Sequence, residues 1–479
     1  MEFRTVIGLE VHTQVLTETK MFCGCSAAAS DVPNTHVCPV CLGMPGVLPT
    51  VNRAAVEKTV MTGLALDCTI PRFNRFDRKN YMYPDQMKGY QISQYELPMA
   101  VGGFLDVEVE GETTRVGITR VHLEEDTARL VHRSGPEGDY SLVDVNRSGV
   151  PLMEIVSDPD ITSPQQARLY LVALRRILRY IGASSGNMEE GALRCDANIS
   201  QRSEDGLIVG PKVEIKNMNS FRSVERALDY EIERQRAALR NGETLVQETR
   251  GWVETQGITV SQRTKEFADD YRYFPEPDLP PVEFDEAWIG AILTSMAELP
   301  VARRDRFVAD FGLSSHDADV LTDDVIVADY YEQAIASSGG RYREVATWVS
   351  GELFALARNR GGFEYVTVAP EHLSDIVTMV ASGEINALTG KSVLLDTAES
   401  GTAPRQIVTD QGLTQVSDAS IVDDVVREIV AANSKAVEDY RSGKQAVVGF
   451  LIGQAMKQMR GRGNPDVVRH ALLRTLDDT

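Results

Sequence analysis

Two cysteine pairs lie near the N-terminus, Cys23-Gly-Cys25 and, twelve residues on, Cys38-Pro-Val-Cys41. Thiolates at such spacing suit a tetrahedral zinc ion, and a site with four protein thiolates is closed and therefore structural. The second pair has the common two-residue separation. The first is tighter, and unliganded surface cysteines are the competing reading. Just upstream, Ile7-Gly-Leu-Glu-Val-His12 reads as a strand. Side chains two apart share a strand face at about 6.5–7 Å. Glu10 and His12 therefore point together, away from a core entered by Ile7, Leu9 and Val11. Alone, such a pair is usually a solvated strand face. A second acidic cluster, His122-Leu-Glu124-Glu125-Asp126, argues for a site. Magnesium at phosphate chemistry wants one or two carboxylates plus waters, and an imidazole among the ligands also suits manganese.

A third run, Asp77 to Gln91, is dense in polar donors and tyrosines, with Lys79, Tyr81, Tyr83, Lys88 and Tyr90. Burying that mixture is costly unless it lines a cavity or channel. Neither a phosphate-binding P-loop nor a dinucleotide glycine fingerprint is present, so a nucleotide would have to be held in another way. Cys68 and Cys195 read as isolated small core residues.

The elements that must position these groups are strands at first. Residues 105–123 alternate apolar and polar, with Val107 and Val109, a turn at Gly111-Glu112, then Val116 and Ile118. Val121 and Leu123 take the opposite parity, which predicts a bulge near Thr119-Arg120; bulges often re-aim side chains beside active sites. Ser163-Pro164-Gln165-Gln166 starts a helix with an N-cap, a proline in the first turn and a capping-box partner. Its apolar positions run to Ile181, and Gly182 ends it. A second helix spans about Phe221 to Leu239, with strand-like pieces at 192–200 and 212–216 between the two. Residues 266–289 hold four prolines and eight acidic residues against Arg272 and mark a boundary. Beyond it the pattern is short helices, with a second boundary near Ser400-Gly-Thr-Ala-Pro404. Asn464-Pro465 caps a final helix.

At 479 residues the chain is too long for one core. Its 43% hydrophobic and 25% charged content is that of an ordinary globular protein. No run approaches the roughly 18 apolar residues of a membrane span, and Met1-Glu-Phe-Arg-Thr does not resemble a secretory signal. A cytoplasmic location is expected, where cysteine clusters more often bind metal than form disulfides. A net charge of −21 argues against a surface that binds nucleic acid throughout. Residues 441–474 are the exception: seven cationic residues, Lys457, Arg460 and Arg462 among them, oppose Asp466 alone, a local excess of +6. Such asymmetry fits a nucleic-acid contact or a solvated cationic helix face.

At these residues the chain resembles the GatB family, the B subunits of glutamyl/aspartyl-tRNA amidotransferases. The matching stretches are IGLEVHTQV from Ile7, GMPGVLPTVN from Gly43, DRKNYMYPDQMKGYQISQ from Asp77 and HLEEDTARL from His122. SLVDVNRSGVPLMEIVSDPDI from Ser141, MEEGALRCDANIS from Met188, EIKNMNSFRSVERAL from Glu214 and DDYRYFPEPDLPP from Asp269 match as well. The resemblance implies an α/β (α+β) cradle with a mixed, largely antiparallel sheet over 1–292, holding the four-cysteine clip. An all-α domain over 293–403 and a YqeY-like tRNA-binding tail over 404–479 would follow. It implies ATP-dependent phosphorylation of the side-chain carboxylate of glutamyl-tRNA(Gln) or aspartyl-tRNA(Asn). Amidation would follow, with ammonia supplied by an amidase (the A subunit) in a heterotrimer with a small C subunit. The residues expected to act are Glu10, His12 and Glu125 at a magnesium or manganese ion, with Glu124 and Glu154 as nearby ligands. Lys79, Lys88 and Arg147 are expected at phosphate or channel contacts, with Asp196 and Lys216 at cofactor or channel positions. Cys23, Cys25, Cys38 and Cys41 are expected at zinc, and Lys457, Arg460 and Arg462 at the tRNA. No membrane partner is expected. The alternative is a zinc-clipped RNA-binding scaffold without chemistry of its own. A stand-alone ligase acting on a small acid is disfavoured by the basic tail.

Overall fold

The computed structural model describes residues 3–136, 138–203, 210–264, 271–415, 419–459 and 463–477. The chain separates into two compact units, Met1–Leu299 and Pro300–Thr479. In the first unit the strands are β1 (Phe3–Gln14), β2 (Phe73–Asn74), β3 (Asp77–Asn80), β4 (Tyr90–Ser93), β5 (Ala100–Val109), β6 (Glu112–Glu125), β7 (Arg129–Gly135) and β8 (Gly138–Asp144). They continue with β9 (Pro151–Ser157), β10 (Leu193–Ser203), β11 (Val213–Lys216), β12 (Glu248–Val253), β13 (Ile258–Thr264), β14 (Phe274–Pro275) and β15 (Val282–Glu283). Its helices are α1 (Arg53–Ala65), α2 (Pro164–Tyr180), α3 (Phe221–Arg240) and α4 (Glu286–Ser295).

Eight strands form one mixed sheet in the order β13-β12-β11-β10-β1-β9-β6-β5, antiparallel throughout except for β11 beside β12. One face is apolar. Leu9, Val11, Leu123, Ile155, Ala197 and Ile199 join a core with Val60 of α1, Leu171 and Leu174 of α2, and Leu228 of α3. Fully burying a large aliphatic side chain is worth about 1.5–3 kcal/mol, so strand parity is strongly enforced. The β5–β6 hairpin turns at Glu110-Gly111, both at positive φ, a two-residue turn whose twist matches the strands. That is one residue earlier than the sequence pattern indicated. The bulge is present, as a register shift between Ile118 and Arg120.

Helix α2 is capped as read, with Ser163 Oγ accepting from the Gln166 N–H at 3.2 Å. The Gln166 side chain accepts from the Thr162 N–H, one residue before the cap. The boundary read after residue 292 falls inside α4, because Ile292 is buried in the first unit's core and Leu299 packs against it. The second unit is helical. Phe307, Tyr331, Leu353, Ile376 and Leu394 share one core, and Val422, Val426, Leu451, Val468 and Leu472 share another. No helix among the described residues is long and apolar enough to cross a membrane.

Candidate active site

The polar face of the sheet floors a cavity of about 740 Å³. Cross-strand register assembles it. Glu154 on β9 lies opposite His12 on β1 and, on its other side, His122 on β6. Asp196 and Arg194 on β10 lie opposite Glu10 and His12. The bulge at Thr119 brings His122 and Glu124 onto this face; without it they would enter the core. His12 Nε2 lies 3.1 Å from Glu154 Oε2 and 4.0 Å from Glu124 Oε1. One ligand atom from each of the three falls within 4.8 Å of the others.

The electrostatics favour ionised carboxylates. Burial pushes Glu154 up, but His122 and His12 outweigh it and hold it well below the usual range. Glu124 is also buried and is lowered by His122 and Lys79. Burial works against charge on His12, yet Glu154 and Glu124 raise it. His122 is pushed up to about 9 by the same carboxylates against the same burial. Lys79 is likewise raised, against burial, by Glu124, Tyr273 and Glu154. Its ammonium stands 5.0 Å from the Tyr271 ring centroid, and Tyr273 stacks on Tyr95 at 4.3 Å. Two oxygen donors, one imidazole and open space above them suit magnesium or manganese.

Of the residues singled out in the sequence, Glu10, His12, Lys79, Glu154, Asp196 and Lys216 line this cavity. Glu124 borders it through its pairing with His12. Glu10 accepts from Asn198 Nδ2 at 2.8 Å. Lys216 pairs with Asp196, and with Glu214 at 3.2 Å. Glu125 is a correction to the expected ligand set of Glu10, His12 and Glu125. Being one residue after Glu124 in a strand, it projects from the other face. There its carboxylate accepts from Lys88 Nζ and from the Ile92 N–H at 3.0 Å. Glu125 and Lys88 line a separate small cavity with Cys23 and Cys41. Arg147 sits behind the floor: it donates to the Thr127 carbonyl at 3.0 Å and approaches Asp126 at 3.5 Å.

Asp126 ends the acidic run and received no role from the sequence. Buried at 3% exposure, it accepts from Arg194 at 2.8 Å and Gln14 at 3.0 Å. Burial opposes its charge, but Arg194 and Arg147 hold its carboxyl below the usual range. Arg194 was recoverable from parity with Asp196. Tyr271 and Tyr273 arrive from a segment too distant in sequence to be paired with Lys79. That segment is tied down by Arg78, which forks onto buried Glu276 at 2.7 and 2.8 Å.

The four cysteine sulfurs also lie within 4.8 Å of one another. A tetrahedral ion with Zn–S near 2.3 Å needs sulfurs about 3.8 Å apart, so the cluster fits zinc. Cys41 is pulled down to about 4 by the Cys23 thiol, with the Cys38 N–H and Lys20 adding to the effect, while the same sharing pushes Cys23 up and burial pushes Cys25 up. The Cys38 N–H donates to its sulfur at 3.1 Å. A thiolate is the form a zinc ligand takes. In the second unit Lys457 is exposed on the helix Val447–Gln458. Arg460 and Arg462 lie outside the described residues.

A mixed-sheet cradle with a carboxylate–imidazole cluster in its cavity and a thiolate cluster beside it has the features of a metal-using α/β enzyme domain. Residues 5–290 match the family described as the GatB/GatE catalytic domain, and residues 329–476 match the GatB domain. A relative from Thermomicrobium roseum is 59% identical, with 98% of each chain covered. One from Roseiflexus sp. is 51% identical, again with 98% of each covered. One from Dehalococcoides mccartyi is 50% identical over 100% of this chain and 99% of its own. Each is named as the B subunit of an aspartyl/glutamyl-tRNA(Asn/Gln) amidotransferase. The chain belongs to the GatB/GatE family.

Proposed function

We propose that this chain is the carboxylate-activating B subunit of a tRNA-dependent, glutamine-hydrolysing amidotransferase. Its substrates are glutamyl-tRNA(Gln), aspartyl-tRNA(Asn) or both. The observation that carries the reading is the convergence of His12, Glu124 and Glu154 within 4.8 Å at a cavity that also holds Lys79. A carboxylate resists attack by ammonia because it is anionic and has no leaving group. Transfer of the ATP γ-phosphoryl to a side-chain oxygen releases ADP and makes the acyl phosphate. Ammonia then adds to the carbonyl carbon, phosphate departs, and a proton is lost to give the amide. Magnesium or manganese at the trio would offset phosphate charge.

The protein's own groups position and neutralise. Lys79, kept charged by Glu124 and Glu154, faces the phosphates. Lys216 and Asp196 hold the opposite side of the floor, next to Glu10. Arg147 fixes Asp126, and through it Arg194. Lys88 and Glu125 line the path by which ammonia arrives from a partner amidase, the A subunit. The small C subunit completes a heterotrimer. Zinc, held by Cys23, Cys25, Cys38 and Cys41, would brace the wall behind that path. The first unit, to Leu299, acts as the kinase-like cradle, the residues from there to 403 as the helical domain, and 404–479 as the tail. In the tail, Lys457, Arg460 and Arg462 contact the tRNA backbone. The complex works in the cytoplasm.

The test is amide formation by the reconstituted complex on glutamyl-tRNA(Gln), then aspartyl-tRNA(Asn), with and without this chain and with and without ATP. Product that needs both supports the reading. No product on either tRNA, with the amidase active as a glutaminase, would leave a scaffold role.

A further inference from the structure

One imidazole on the polar face has no part in the scheme above. His122 is 3% exposed. Its Nε2 lies 3.3 Å from Glu154 Oε2 and 3.8 Å from Glu124 Oε2. Arg120 Nε donates to its Nδ1 at 3.3 Å. Nε2, set between two carboxylate oxygens, carries a ring proton directed at them, in the charged ring as in the neutral one. Arg120 Nη2 also stands 3.7 Å from Glu154 Oε1, and Ser93 Oγ donates to Glu124 Oε2 at 3.0 Å.

We infer that His122, fixed by Arg120, is a positioning residue that holds Glu154 and Glu124 in the orientation in which they share one divalent cation with His12. The inference rests on the reading of those three residues as the cation site. Two carboxylates held this close repel each other and tend to share a proton or swing apart. A buried donor between them opposes both. His122 is set apart from the ligands because its Nε2 directs a proton at the two carboxylates and its Nδ1 is covered by Arg120. Partners of this kind, behind the ligands, change metal affinity by about 10–100-fold when removed.

Manganese binding by the full-length chain, followed by electron paramagnetic resonance, tests this with no turnover needed. In His122→Gln the amide nitrogen falls close to Nε2 and keeps the donor; in His122→Asn it falls close to Nδ1 and does not. The Ala and Asn variants should bind manganese about 10–100-fold more weakly. The Gln variant should stay within about threefold of the parent. Nitrogen coupling to the ion should persist in all three and vanish only in His12→Ala. Unchanged affinity in His122→Ala would overturn the inference, as would a Gln variant as weak as Ala. Loss of nitrogen coupling in His122→Ala would make His122 a ligand and overturn it too. Failure of the cation-site reading itself looks different: Glu124→Gln and Glu154→Gln would then bind manganese as the parent does.

Discussion

Exchanging a single oxygen for nitrogen, in Glu154→Gln or in Glu125→Gln, separates the two faces of the sheet. Glu154 contacts His12 at 3.1 Å and His122 at 3.3 Å inside the large cavity. Glu125 is tied to Lys88 and the Ile92 N–H beside the small one. One carboxylate charge about 3 Å from a dication at an effective dielectric near 20 contributes about 11 kcal/mol of gross attraction. The amide oxygen still coordinates and Glu124 is relieved of a like-charged neighbour, so most of that is offset. The net loss should be about 4 kcal/mol, on the several-kcal/mol scale of metal-assisted charge stabilisation. That is about 10³-fold in the phosphorylation rate. Glu125→Gln should phosphorylate within about threefold of the parent while amide formation falls, because only the ammonia path is disturbed. The assay is single-turnover transfer of labelled γ-phosphate to glutamyl-tRNA(Gln), read beside amide formation. A Glu154→Gln variant that keeps more than about a tenth of the rate would refute the assignment. So would a Glu125→Gln variant as defective in phosphorylation as Glu154→Gln.

Replacing Cys38 and Cys41 together by serine should abolish zinc in elemental analysis and lower the melting temperature; zinc content equal to the parent's would exclude the thiolate clip. Asp126 has a depressed carboxyl, so its stabilisation is present above the usual carboxylate range, near pH 3.8 and upward, and is lost as pH falls through the lower folded value. Asp126→Asn should remove that acid-side component. It should lower neutral-pH stability by only about 2 kcal/mol, because Arg147 and Arg194, 37% and 44% exposed, regain water; denaturant melts against pH measure both. Glu276→Ala should leave the Arg78 guanidinium with Asp278 at 3.3 Å as its remaining carboxylate partner, at a local cost of about 2 kcal/mol, seen as faster hydrogen exchange over residues 271–283 and a raised KM for ATP. Removal of residues 401–479 should weaken tRNA binding and flatten its salt dependence; an unchanged slope would exclude the tail as a phosphate contact.

Much of the scaffold was legible locally. The caps at Ser163 and Asn464, the hairpin and its bulge, and the clustered thiols are short-range signals written within a few residues. Parity along β1 correctly put Glu10 and His12 on one face. The acidic cluster was harder, because consecutive residues in a strand alternate sides, and the bulge had to be carried forward to decide between Glu124 and Glu125. Read strictly, the slip at Thr119 already sent Val121 and Leu123 inward. Glu125 therefore goes with them, and Glu124 goes with His122. The domain boundary moved for a different reason: α4 returns its apolar side chains to the first core, a contact the proline-rich stretch before it does not announce.

By itself the sequence determined which groups were available, and it determined strand parity, because burying Ile7, Leu9 and Val11 leaves Glu10 and His12 no other face. It also determined the cysteine pairs, whose sulfurs are too close in the chain to be far apart in space. Tertiary structure alone decided which carboxylates meet which imidazoles. His12, Glu124 and Glu154 come from strands far apart in the chain, and only the order β1-β9-β6 makes them neighbours. It also decided that Glu125 lies against Lys88 and that Tyr271 and Tyr273 close over Lys79. Cross-strand register is set by the sum of many apolar contacts across the sheet, which no short stretch of sequence contains.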